Sequence, residues 1–249
     1  YGEGYDAIDA NFAVSKNITV THTPDVLNDE VADTAIMLWL ATYRNLIQAD
    51  QWVRTGNWEK EGAFPLSKTV QKQKVGILGL GRIGETIAKR VKAFDAEVHY
   101  HSRSKKNNNY QFHASPKELA KNVDVLFIIT PGGNETKHLV DASVLEALGT
   151  SGTLINISRG SVVDEKALIK ALQTGTIGAA GLDVFDAEPV VPNELKNMPN
   201  VILTPHVGSA TNETRQAMGD LTCDNLLSFF KTGQVLTPVP ECLKLNVQR

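Results

Sequence analysis

Cysteine is nearly absent: the 249 residues hold two, Cys223 and Cys242, and no C-x-x-C pair. That excludes a disulfide-stapled scaffold, and no histidine, cysteine or acid spacing fits a metal site. Long apolar runs are missing too. The longest, such as Ala35–Ala41, fall well short of the ~18 residues a membrane-spanning helix requires. Neither sign of charge dominates, with 25 Lys+Arg against 28 Asp+Glu and a net charge of −3. This balance speaks against a basic nucleic-acid binder and against disorder, and the Lys105-Lys106 pair is too small a cluster to alter that. There is no G-x-S-x-G nucleophile elbow, no signal-peptide pattern and no initial Met. What remains is 42% hydrophobic content, enough for one large or two modest domains, and a cytoplasmic setting is expected.

Two rhythms divide the chain. The front holds a short strand candidate, Asn17–Val20, a punctuating Thr21–Asp25, and a helical stretch from Asn28 to Arg44. Gln51–Glu61 carries Trp52 and Trp58 among charges, as an arm that packs on a partner or on the chain's own core would. From Lys74 onward apolar strands alternate with amphipathic helices. Strands are predicted at Val75–Leu78, Glu97–His101, Val123–Ile129, Thr153–Asn156, Gly178–Val184 and Val201–Leu203. Helices are predicted at Ile83–Phe94, Pro116–Lys121, Ala142–Leu148, Asp164–Gln173 and Asn212–Lys231. Strands that are apolar throughout suit parallel pairing with both faces buried, so the pattern reads as a doubly wound α/β sheet of the Rossmann type.

Gly79-Leu80-Gly81-Arg82-Ile83-Gly84 satisfies G-x-G-x-x-G, follows the first strand and opens a helix. Gly79 would permit the tight turn, Gly81 the approach of a pyrophosphate, and Gly84 close helix–strand packing. The helix N-terminus offers amides and a positive dipole end to phosphate. At the end of the second strand, NAD-binding folds place an acid for the ribose hydroxyls. Here stand Ser102, Arg103 and Ser104, followed by two lysines. Their charge and hydroxyls favour the 2′-phosphate of NADPH, with NAD as the alternative cofactor.

Three later segments set polar residues at the ends of apolar strands, where open α/β sheets bind ligands: Ile155–Gly160, Gly181–Pro189 and Leu203–Gly208. With the glycine loop and Asn28–Arg44, they resemble the D-isomer-specific 2-hydroxyacid dehydrogenase family. The similarity is strongest to its NADPH-dependent glyoxylate/hydroxypyruvate and hydroxyphenylpyruvate reductase branch. The features nearest that branch are Ser102–Lys106, Leu182–Phe185 with Glu188-Pro189, Pro205–Thr211 and Leu236–Val239.

The resemblance implies hydride transfer from NADPH to a small 2-oxo acid, with Arg159, Glu188 and His206 as catalytic residues. Arg159 would bind the substrate carboxylate and polarise the carbonyl, and His206 would donate the proton. Glu188 would orient the imidazole and stabilise its charged form. Asp183 would contact the nicotinamide carboxamide, and Thr130, Pro131, Ile157, Ser158 and Gly208 would complete the cofactor site. Glu3 and Gly4, in the segment Tyr1–Asp6, would face substrate. Glu3 departs from the pattern, because an acid beside an anionic substrate is unfavourable unless its side chain turns away.

His22, His99, His101, His113 and His138 lack a comparable setting and read as surface or loop residues, His101 near the adenine ribose. Residues 45–206 are expected to form the dinucleotide domain. Residues 1–44 and 207–249 would form a partial substrate domain built from both chain ends. Against the family pattern the chain is short by roughly a fifth at its front, which predicts NADPH binding better preserved than turnover. A homodimer is implied. An NAD-dependent relative and a non-catalytic dinucleotide-sensing protein are the alternatives, the second weakened by the intact catalytic trio.

Overall fold

The computed structural model describes residues 2–247, so Tyr1 of the expected substrate-facing segment lies outside the described residues. The chain forms two compact units: residues up to Val31 with those from Ser209 on, and Ala32–Gly208.

In the first unit, helix α1 (Ala10–Ser15) starts at Asp9, whose side chain accepts the amide of Phe12. The predicted strand Asn17–Val20 does not form. The amides of Lys16, Asn17 and Ile18 turn back to carbonyls of α1, and Asn17 takes a positive φ of 59°. Just beyond it Thr21 makes an isolated antiparallel bridge with Pro238, and Val20 O accepts the Val239 amide at 3.0 Å. Ala10, Ala13, Val20, Val239 and Cys242 make a small core there.

Helix α2 (Asn28–Tyr43) runs across the boundary between the units. In the second unit it is followed by α3 (Leu46–Arg54) and α4 (Asn57–Glu61), where a single arm was expected. Trp52 donates its indole N–H to Gly62 O at 3.0 Å and meets Phe64 edge-on, whereas Trp58 stays exposed. The alternating region then gives β1 (Lys74–Leu78), α5 (Arg82–Val91), β2 (Glu97–His101), β3 (Gln111–Phe112), α6 (Pro116–Lys121), β4 (Val125–Ile128), α7 (Ala142–Leu148), β5 (Thr153–Asn156), α8 (Glu165–Thr174), β6 (Ala179–Leu182), α9 (Asn193–Lys196) and β7 (Val201–Leu203).

All seven strands pair in parallel, in the order β3-β2-β1-β4-β5-β6-β7. The order reverses between β1 and β4, the switch point of a Rossmann-type sheet. β1, β4 and β5 are buried almost end to end, as strands covered on both faces must be. Fully buried Trp39 of α2 packs edge-on against Tyr43, Phe94 and Phe127, joining that helix to the sheet. Side-chain caps start α6 (Ser115), α7 (Asp141) and α8 (Asp164), each accepting first-turn amides.

The first unit resumes with α10 (Asn212–Thr232), capped by Thr211 and ended by Gly233 in the left-handed region, and α11 (Leu243–Val247). Buried Asn225 accepts the amides of Leu236 and Thr237 and donates to Thr237 Oγ1, which pins the returning segment.

One histidine reading is corrected. His99 is buried in β2 rather than on the surface, because the short edge strand β3 brings His113 against it. The two rings stack at 5.2 Å between centroids, with His99 Nδ1 2.9 Å from His113 Nε2, and His99 Nε2 lies 3.0 Å from Glu97 Oε1. Burial first, and His99 second, push the His113 pKa down. A base that is harder to protonate when folded loses stability as pH falls below its unfolded value near ~6.5. Thermal melts should therefore fall more steeply between about pH 7.5 and about pH 5.5 for the wild type than for His113→Gln. Parallel slopes would contradict this.

Candidate functional site

Every expected site residue of the second unit lies at, or in the loop beyond, the carboxyl end of a strand. The glycine loop follows β1, Ser102–Ser104 follow β2, and Thr130-Pro131 follow β4. Ile157–Arg159 follow β5, Asp183 and Glu188 follow β6, and His206 and Gly208 follow β7. Glu3 and Gly4 belong to the first unit, where the backbone carbonyl of Glu3 lies 2.9 Å from His22 Nδ1.

The three glycines separate by geometry. Gly79 takes φ +104°, and a Cβ there would lie 2.9 Å from the amide nitrogen of Thr130. A Cβ on Gly84 would lie 2.3 Å from the Gly79 carbonyl oxygen, so only glycine permits that contact. Gly81, at the start of α5, has nothing within 4 Å of a Cβ position and leaves an open face. The first helical bond runs from Glu85 N–H to Gly81 O, so the amides of Ile83 and Gly84 ahead of it have no helical carbonyl to reach. Beside the loop, the buried Thr130 Oγ1 has no hydrogen-bond partner among the described residues. An open glycine, first-turn amides and an orphaned hydroxyl together fit the pyrophosphate of a dinucleotide.

Beyond β2, the Ser102 hydroxyl donates to Ser104 O at 2.7 Å, folding the turn that displays Arg103. The far end of this loop is pinned by the Lys106 amide on Tyr100 Oη at 2.8 Å. The Arg103 side chain is 95% exposed and 4.0 Å from equally open Glu135, a screened contact that a phosphate would outcompete.

At the other end of the edge, His206 Nδ1 lies 2.7 Å from Glu188 Oε2. The second Glu188 oxygen accepts the Phe185 amide at 2.9 Å, which aims the carboxylate. With Nδ1–H given to the carboxylate, Nε2 is the nitrogen left to exchange a proton, and the side chain is 48% exposed. His206 itself sits at φ +54°, its amide bonded to Asp183 O.

The carboxylate of Asp183 is 1% exposed and accepts three bonds from the same loop. These come from Thr204 Oγ1 at 2.6 Å and from the Val207 and Gly208 amides, each at 2.9 Å. Asp183 thus builds the loop that carries His206, and any direct cofactor contact uses the lone pairs these bonds leave. Arg159 is in extended conformation, with Nη1 donating to Ser158 O at 2.8 Å.

Two residues central to this arrangement escaped the sequence reading. Thr204 and Asn156 are polar ends of apolar strands, and that position was the available signal. Among the described residues no group of three histidines, cysteines or acids could hold a metal, and no helix is long and apolar enough to cross a membrane.

Comparison with known proteins gives the family. The sequence profile for the D-isomer specific 2-hydroxyacid dehydrogenase NAD binding domain matches residues 36–208. The chain is 49% identical over 240 residues to a glyoxylate/hydroxypyruvate reductase A of Arabidopsis thaliana. It is 48% identical to a hydroxyphenylpyruvate reductase of Plectranthus scutellarioides, and in both cases 96% of this chain aligns with 76% of the relative. Among solved structures, the NADPH-dependent glyoxylate/hydroxypyruvate reductase of Sinorhizobium meliloti, in complex with NADP and malonate, superposes with a TM-score of 0.94 at 52% identity. That match covers 96% of this chain and 76% of the other.

An Asp183→Asn protein keeps the shape but turns a donor toward amides that need an acceptor. It should lose about 1–3 kcal/mol of stability in chemical denaturation. An unchanged midpoint would show that the loop does not depend on the carboxylate.

Proposed function

The chain belongs to the D-isomer-specific 2-hydroxyacid dehydrogenase family, and from that premise we propose that it reduces small 2-oxo acids, glyoxylate and hydroxypyruvate foremost, to 2-hydroxy acids with NADPH. The observation that carries this reading is the 2.7 Å His206–Glu188 pair on the same sheet edge as Arg159 and the glycine cradle.

Gly79–Gly84, Thr130-Pro131, Ile157-Ser158 and Gly208 would hold NADPH, which when bound would supply the hydride for C2 of the substrate. Arg159 pairs its guanidinium with the substrate carboxylate and draws electron density from the carbonyl. His206 gives the proton on Nε2 to the carbonyl oxygen, and takes one back in the reverse direction. Glu188 stabilises the imidazolium and fixes which nitrogen faces substrate. Asp183 holds the loop and, by resemblance, would contact the nicotinamide carboxamide. Glu3 and Gly4 are assigned to substrate by resemblance alone. Residues 45–206 make the dinucleotide domain, and 1–44 with 207–249 the substrate side.

The preference for NADPH rests on Arg103, with Ser102 and Ser104, in a loop that offers no acid to repel a 2′-phosphate. The proposal extends to a homodimer in the cytoplasm. Its support is apolar exposure in the second unit, where Leu46 lines a groove with Ile36, Met37, Leu40 and Phe94, and Ile47, Val53, Trp58 and Leu66 are also exposed. Two free thiols, Cys223 and Cys242, suit a reducing compartment.

Glyoxylate-dependent oxidation of NADPH tests the reading directly, and no turnover with any small 2-oxo acid would sink it. His206→Ala should lower kcat by about 10²–10⁴-fold. Arg159→Ala should both raise KM for the oxo acid and lower kcat. Replacing Arg103 by Ala should cut the NADPH-over-NADH ratio of kcat/KM by about 10-fold or more, since charge-assisted bonds to phosphate are lost. Sedimentation as a monomer at micromolar concentration would refute the dimer.

A further inference from the structure

We propose that Asn156 is a positioning residue for Arg159, setting where its guanidinium meets the carboxylate of the substrate; this rests on the role just assigned to Arg159. Asn156 ends β5, is 2% exposed, and follows three apolar or fully buried residues, an unusual place for an amide without a task. Its side chain bonds forward along its own chain. Oδ1 accepts the Ser158 amide at 3.1 Å and the Ser158 hydroxyl at 3.3 Å, while Nδ2 donates to Arg159 O at 3.0 Å. The same Arg159 carbonyl also accepts the Val162 amide at 3.3 Å, so both of its lone pairs are engaged.

The chain of reference runs on to the guanidinium. Asn156 fixes the Ile157–Ser158 and Arg159–Gly160 peptide units, which flank the one carrying Ser158 O, the carbonyl to which Arg159 Nη1 donates at 2.8 Å. The hook is itself tied to the sheet, because Asn156 O accepts the Asp183 amide at 2.9 Å. On the far side, Gly160 closes the segment. A Cβ there would lie 2.0 Å from the carbonyl carbon of Phe185 and 2.3 Å from the amide nitrogen of Asp186. The arginine is therefore framed between a side-chain hook and a backbone contact with the turn that carries Glu188. Asn156 touches neither substrate nor cofactor in this account; it acts through Ser158 and Arg159.

The experiment measures two affinities and one rate split on the full chain. NADPH binding is followed by its fluorescence, oxalate binding by titration of the NADPH complex, and kcat and KM with glyoxylate, for wild type, Asn156→Ala and Asn156→Ser. Misplacing a binding group by about 1 Å is enough to cost two orders of magnitude. The expected result is oxalate affinity and glyoxylate KM worse by ~10-fold or more in Asn156→Ala and partly restored in Asn156→Ser, with NADPH affinity reduced by a clearly smaller factor, since Ser158 is one of several residues assigned to the cofactor. A pH profile of kcat unchanged in position would agree, since His206 is not what moves. Oxalate affinity within about twofold of wild type in both variants, or NADPH affinity lost in step, would overturn the proposal. So would a wild-type complex that does not bind oxalate. A wild type that binds oxalate yet never oxidises NADPH would sink the reductase reading while leaving the role of Asn156 to the variants' oxalate affinities.

Discussion

A single buried carboxylate holds the catalytic edge in shape. Removing the charge of Asp183 from water would cost several kcal/mol if it stood alone. It is tolerated because a hydroxyl and two amides of the Thr204–Gly208 loop converge on it, and they have no other acceptor so close. The dependence is mutual. The loop takes its path from the acid, and along that path His206 occupies the left-handed region, which non-glycine residues seldom visit and histidine tolerates better than most. Glu188 then needs only one further constraint, the Phe185 amide, to present an oxygen to the imidazole. The proton-handling pair follows from burial and hydrogen bonding settled at the strand ends.

The cofactor side is governed by a different force. Between β1 and β4 the limits are steric, since Gly79 and Gly84 bring backbone against backbone. At the end of β2 they are electrostatic and open to solvent. Arg103 is almost entirely exposed, so the phosphate contact proposed for it is more subject to salt screening than a glycine loop whose limits are steric. Selectivity between the two dinucleotides therefore weakens with ionic strength sooner than dinucleotide binding does.

Much of this was legible in the sequence where one physical rule acted alone. Thr153–Asn156 and Val201–Leu203 read as strands because they lie next to turn or cap residues and are apolar enough for a two-faced sheet. The helices predicted from Pro116, Ala142 and Asp164 start within one residue of those positions, each on a side-chain cap that satisfies first-turn amides. The glycine loop carries its own spacing, whereas the roles of Arg159, Glu188 and His206 come from resemblance and not from any local pattern. The misses share a cause, competition from partners distant in sequence or from the local backbone. Asn17–Val20 has strand-like residues, but the end of α1 takes its amides. Gln111–Phe112 is too short to show a period and pairs only because β2 has a free edge. His99 is buried by His113, fourteen positions away, which no periodicity reports.

The contact at Gly160 has a consequence for how such a site can change over time. Two segments that serve different chemical ends, one presenting the arginine and the other the acid behind the histidine, meet there with no side chain between them. A joint of bare backbone offers selection nothing to enlarge, shrink or recharge. Divergence toward new substrates must therefore come from residues that surround the reacting groups, while the spacing between those groups is inherited unchanged. For an engineer the same joint marks where a library should not be spent.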